Sequence, residues 1–180
     1  MAAIESRSRY AAAVRYMHWT VFVLVLLAYV CINVFEFFPK GGALRMNIKA
    51  AHFTAGIAVL LLVLPRGLLR LRNGRPPIAP ALPHPMEWLS RLTHVALYAF
   101  LLVQPILGIV TLQVGGKAVK LFGTTLLPAF VRAPDPALSH QLENIHGTIG
   151  TVCYYVIGLH IAAALWHHFG RRDNTLKRML

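Results

Sequence analysis

Ile145-His146-Gly147-Thr148-Ile149-Gly150-Thr151-Val152-Cys153-Tyr154-Tyr155-Val156-Ile157-Gly158-Leu159-His160-Ile161-Ala162-Ala163-Ala164-Leu165-Trp166 contains no charged side chain apart from its histidines. A stretch of this length meets the roughly 20 apolar residues needed to cross a bilayer core. It is continuous and lacks the two-residue alternation of a barrel strand, so it reads as a helix. Three further runs, residues 17–35, 46–64 and 95–114, read the same way. The expected fold is all-α, an integral membrane four-helix bundle forming a single domain over residues 1–180.

Composition agrees: 57% of residues are hydrophobic, 13% are charged, and the mean hydropathy is +0.58. That balance excludes disordered, collagenous and disulfide-rich classes. The first run follows Arg7, Arg9 and Arg15 but exits through Asn33-Val34-Phe35-Glu36-Phe37-Phe38 without a small-x-small cleavage site, which predicts a retained helix rather than a signal peptide. Cys31 and Cys153, both inside apolar runs, form no Cys-x-x-Cys-His motif, so any haem is held without covalent attachment.

The net charge of +12 does not point to nucleic acid, because the basic residues lie between lipid-facing runs and leave no soluble reading face. They suit topology and contact with anionic lipid. Arg7, Arg9, Arg15, Arg66, Arg70, Arg72, Arg75, Arg91, Arg171, Arg172, Lys177 and Arg178 fall on one side, against Lys40, Arg45, Lys49, Lys117, Lys120 and Arg132 on the other. Twelve against six predicts that both termini are cytoplasmic. Pro76, Pro77, Pro80, Pro83 and Pro85 predict an extended inner connection, and the apolar stretch 119–131 is expected to lie along the outer membrane surface.

Ionisable residues at membrane depth are functional candidates by default. His146 and His160 are 14 residues apart, about 21 Å of rise and only about 40° of rotation, so they share one face at two depths. Helix one starts inside, which puts His18 at the depth of His160; helix two starts outside, which puts His52 at the depth of His146. His94, at the inner start of helix three, competes with His18, and spacing does not choose between them. Zinc calls for a compact set of three or four ligands, whereas pairs on separate helices suit two bis-histidine b haems. Gly56, Gly147, Gly150 and Gly158 offer room for flat macrocycles or close helix packing. His167 and His168, two turns past His160, suit a quinone carbonyl and a proton relay.

Arg15-Tyr16-Met17-His18-Trp19, Phe37-Phe38-Pro39, His52 with Gly56, Pro76-Pro77-Ile78, Ile157-Gly158-Leu159-His160 running on to His167-His168, and the tail Asp173-Asn174-Thr175-Leu176 with Arg178-Met179 resemble the bacterial cytochrome b561 family. The resemblance covers nearly the whole chain, is weakest over residues 115–140, and is closest to the short stand-alone members that oxidise superoxide. It implies two haem b groups in the bacterial inner membrane, the inner held by His18 and His160 and the outer by His52 and His146. His94, His167 and Arg91 become candidates for the quinone site. The implied reaction passes electrons from superoxide to ubiquinone without a protein partner.

Lys40, Arg45, Lys49, Lys117, Lys120 and Arg132 outweigh Glu36, Asp135 and Glu143 on the outer side, and a cationic mouth speeds capture of a small anion. Arg45 and Lys49 are the leading contributors. The alternative is a cytochrome b anchor that carries electrons from a periplasmic dehydrogenase or hydrogenase to quinone. A haem-free helical bundle is a third reading.

Overall fold

The computed structural model describes residues 8–121 and 124–180. Arg7, counted above among the basic residues of the terminal side, lies outside them, as do two residues of the stretch 119–131. Four long helices dominate: α1 (Ala12–Val34), α2 (Ala43–Asn73), α3 (His84–Val114) and α4 (Pro136–Phe169). Each carries a segment apolar enough to span a membrane, and no more than 22% of any such segment is buried inside the protein. The side chains left outside, among them Leu61, Val95, Tyr155 and Leu159, are apolar and face the surroundings as a lipid-exposed surface would. Val21, Val59, Val63 and Leu101 form the small packed centre.

The helices outrun their apolar portions. α2 continues through Pro65, which cannot donate to the preceding turn, and ends only at Gly74, whose φ of 68° suits glycine. Arg66, Arg70 and Arg72, expected in a connection, are therefore helical residues. Arg70 and Arg72 sit in the last turn, where cations favour the negative end of the helix dipole. α3 starts at His84 with Pro85 in its first turn, so the proline-rich connection stops at Pro83. The Asp135 carboxylate caps α4 by accepting from the Leu138 amide at 2.9 Å, with Pro136 at the first helical position.

The outer connection carries the only strands among the described residues. It pairs β1 (Val119–Leu121) antiparallel with β2 (Thr124–Leu127), adding a small strand pair to an otherwise helical fold. Val119 is buried and β1 packs on α2, which anchors the stretch to the bundle, while Leu126, Phe130 and Val131 stay exposed. The Gln113 side chain holds the return strand by donating to the Pro128 carbonyl at 3.0 Å and accepting from the Phe130 amide at 2.8 Å.

Both ends of the described chain meet at the opposite end of the bundle. The Tyr10 amide donates to the Arg178 carbonyl at 3.1 Å, and the Trp19 indole donates to the Met179 carbonyl at 2.9 Å. Asn174 accepts from the Ala79 amide at 2.9 Å, tying the tail to the proline-rich connection.

Candidate functional site

At the strand-pair end, α2 presents His52 and α4 presents His146 with ring centroids 6.2 Å apart and planes at 83°. The His52 Nδ1–H donates to the Ala28 carbonyl at 2.8 Å, which leaves Nε2 as the lone-pair nitrogen, the arrangement usual for a metal-ligating imidazole. The Nδ1 of His146 is buried without a partner. A cavity of about 340 Å³ adjoins both rings and is lined from all four helices, including Tyr29, Gly56, Gln104, Gly147, Gly150 and Tyr154. A Cβ on Gly56 or Gly147 would meet nothing within 4 Å, whereas one on Gly108 would come within 3.2 Å of the His146 ring. Glycine thus keeps space beside the imidazoles at two positions and admits the ring at a third.

At the termini end, His18 and His160 have centroids 6.4 Å apart, and His94 and His160 have centroids 5.5 Å apart. An iron held between two imidazoles at about 2 Å per metal–nitrogen bond needs centroids roughly 6.2 Å apart. His52–His146 and His18–His160 match that spacing, and His94–His160 is too close for a shared axial metal. Hydrogen bonding pulls the other way. His94 donates its Nδ1–H to the Ser90 carbonyl, whereas Nδ1 of His18 lies 3.0 Å from a nitrogen of Arg66.

Donor chemistry also fits haem. Among the described residues no group of three or more His, Cys, Asp or Glu side chains is arranged to hold a bare metal ion. A porphyrin supplies four nitrogens of its own and asks only for an axial pair. Cys31 and Cys153 are buried free thiols.

Arg45 and Lys49 converge on one ring, with the guanidinium 4.6 Å and the ammonium 4.9 Å from the Phe35 centroid. Arg45 also donates to the Phe38 carbonyl at 2.7 Å, so it is fixed rather than free in solvent. Lys40, Lys117, Lys120 and Arg132 are exposed at the same end. At the termini end, Arg91 pairs with Glu87 on the surface of α3 and is not joined to His167. His167 instead donates from Nδ1 to the Asp173 carboxylate at 2.6 Å. His168 stands beside Phe169 with its Nδ1 buried and unpartnered.

Three residues here were not singled out from sequence. Arg66 was counted as a loop charge; Asp173 was read only as part of a tail pattern. Gln104, 8% exposed, donates to the His146 carbonyl at 2.7 Å and carries a buried, unpartnered Oε1. A polar residue inside an apolar span was the available signal for Gln104.

Residues 9–180 match the family model of prokaryotic cytochrome b561. The chain is 32% identical over 173 residues to cytochrome b561 homolog 1 of Escherichia coli (strain K12), covering 96% of this chain and 97% of that protein. It is 36% identical over 165 residues to probable superoxide oxidase CybB of Yersinia pestis, covering 91% of each. Cytochrome b561 homolog 2 of Escherichia coli (strain K12) is 30% identical over 129 residues, 72% of this chain and 68% of that protein. With four membrane-length helices and paired interior histidines already in place, the chain belongs to the prokaryotic cytochrome b561 family, bacterial membrane electron-transfer proteins that bind b-type haem.

Proposed function

We propose that this protein is a diheme superoxide:ubiquinone oxidoreductase of the bacterial inner membrane, built as one domain with both termini cytoplasmic. His52 and His146 hold the outer haem, and His18 and His160 the inner one. When bound, the haems supply a one-electron relay across the bilayer. Two superoxide anions each give up one electron and leave as oxygen; ubiquinone takes up two electrons and two protons and leaves as ubiquinol. The observation that carries the reading is the convergence of Arg45 and Lys49 on Phe35, at the end of the bundle that holds His52 and His146. Lys49 precedes His52 by almost one helical turn, so its charge stands over the outer pair. The name of the Yersinia pestis relative points to the same substrate.

Purified protein, without a partner, mixed anaerobically with a superoxide source should show haem reduction whose second-order rate falls as salt rises, because the Debye length is only about 8 Å at physiological ionic strength. Lys49→Gln should lower the low-salt rate by about twofold, the value of one charge acting across roughly 10 Å of water, and flatten the salt slope. A wild-type rate independent of salt overturns the steering argument, and no reduction by superoxide overturns the substrate.

At the other end, Asp173 holds His167 through Nδ1 and leaves Nε2 available to a quinone oxygen. His94 and Arg91 complete the candidate quinone side. His167→Ala should slow re-oxidation of reduced protein by a quinone analogue while leaving reduction by superoxide unchanged, as stopped-flow mixing separates the two. Equal re-oxidation rates remove His167 from the site.

A further inference from the structure

Arg66 lacks the partner a cation in this position needs. It lies 14 residues after His52 on α2, so the two share a face at two depths, as His146 and His160 do on α4. An arginine near a helix end ordinarily extends its head to the membrane surface. This one turns into the bundle, with its guanidinium 4.9 Å from the Tyr98 ring centroid and one nitrogen 3.0 Å from Nδ1 of His18. No carboxylate of the described residues is within ion-pair distance of it. Every other half-buried or buried arginine among the described residues, namely Arg15, Arg45, Arg70, Arg171 and Arg178, donates to a protein oxygen. The Tyr98 hydroxyl is likewise buried without a partner.

The bond to His18 is not one that a liganded site keeps. Arginine only donates, so Nδ1 of His18 must accept, and its proton then sits on Nε2. A histidine that binds metal through one nitrogen carries its proton on the other and donates it to an acceptor. If His18 held the haem iron, the guanidinium would have to release Nδ1 and find an anion nearby. A buried charge left unpaired is strongly destabilising.

We propose that Arg66 clamps a propionate carboxylate of the inner haem, a role that rests on the diheme reading above. The α2 face then serves both sites, with a ligand at the outer depth and an anion clamp at the inner. Its guanidinium suits a carboxylate because two parallel N–H donors match two oxygens.

The test compares wild type, Arg66→Gln and Arg66→Lys, each loaded with haem or with haem dimethyl ester, whose carboxylates are uncharged. The readout is the rate at which inner haem transfers to apomyoglobin, with the outer haem of the same molecule as control. With ordinary haem, Arg66→Gln should lose inner haem about 10- to 100-fold faster than wild type, the span expected for a hydrogen bond to a charged group. Arg66→Lys should fall between, and outer-haem loss should not change. With the dimethyl ester, wild type and Arg66→Gln should lose inner haem at similar rates. If the ratio between them is the same for ester and acid, Arg66 does not act on the carboxylate and the proposal is overturned. A wild type holding a single haem by pyridine haemochrome overturns the diheme reading beneath it, and the two failures are thereby distinguished.

Discussion

His160→Ala is expected to yield a protein with one haem where the wild type should bind two, the largest single change anticipated for this chain. His160 packs against both other inner histidines, 6.4 Å from His18 and 5.5 Å from His94 by ring centroid, so either inner pairing needs it. Affinity for a group that binds only the folded state is folding stability, and a ligand present at a thousand times its Kd contributes about 4 kcal/mol. Loss of the inner haem should therefore lower thermal stability along with haem content. His146→Ala should remove the outer haem in the same way. His18→Ala and His94→Ala then separate the two inner candidates. Centroid spacing favours His18, so His18→Ala should lose a haem and His94→Ala should keep both. Full haem content in His160→Ala would sink the assignment, and loss in His94→Ala with normal content in His18→Ala would transfer the ligand role to His94.

The approach of His52 to His146 was legible in the sequence for a simple reason. Apolar runs fix the number of crossings, crossings fix the direction of each helix, and direction converts residue number into depth. His52 and His146 meet because those three steps are set by hydropathy, which local packing does not override. Helix ends obey other rules. α4 starts at Pro136 because Asp135 caps it, and α2 runs past Pro65 to Asn73 because a membrane helix absorbs one missing donor; neither decision leaves a mark in hydropathy. The strand at Val119–Leu121 was hidden because three residues of strand are too few to show a period. Arg66 was missed because a rule that counts charges per side assigns every arginine to solvent. Only the side-chain direction distinguishes Arg66, which turns inward to His18 and Tyr98.

Asp173→Asn should unlatch the C-terminal tail, because one carboxylate organises it. Asp173 is 2% exposed. Its Oδ2 accepts from His167 Nδ1 at 2.6 Å and from Arg171 Nε at 3.2 Å, and its Oδ1 accepts from the Thr175 amide at 2.9 Å. Burial alone would raise the carboxyl, but the His167 and Thr175 donors outweigh it and hold the group below the ordinary aspartate value. A carboxyl whose folded value is depressed stabilises the protein above its unfolded value, near pH 4, and that contribution disappears as pH falls through the folded value. The tail it fixes reaches Tyr10 and Trp19 through Arg178 and Met179, and the proline-rich connection through Asn174, so it closes the end of the bundle next to the inner histidines. Removing one member of a buried charged pair costs roughly 3–5 kcal/mol. For a chain of this size that is a fall in Tm of about 10 °C. Exchange of the amides from Arg171 to Arg178 should quicken in Asp173→Asn at neutral pH, and in wild type only on acidification below about pH 4. Wild-type Tm in Asp173→Asn, or the same acid-induced loss of protection in both proteins, would show that the tail is held by its backbone contacts and not by this carboxylate.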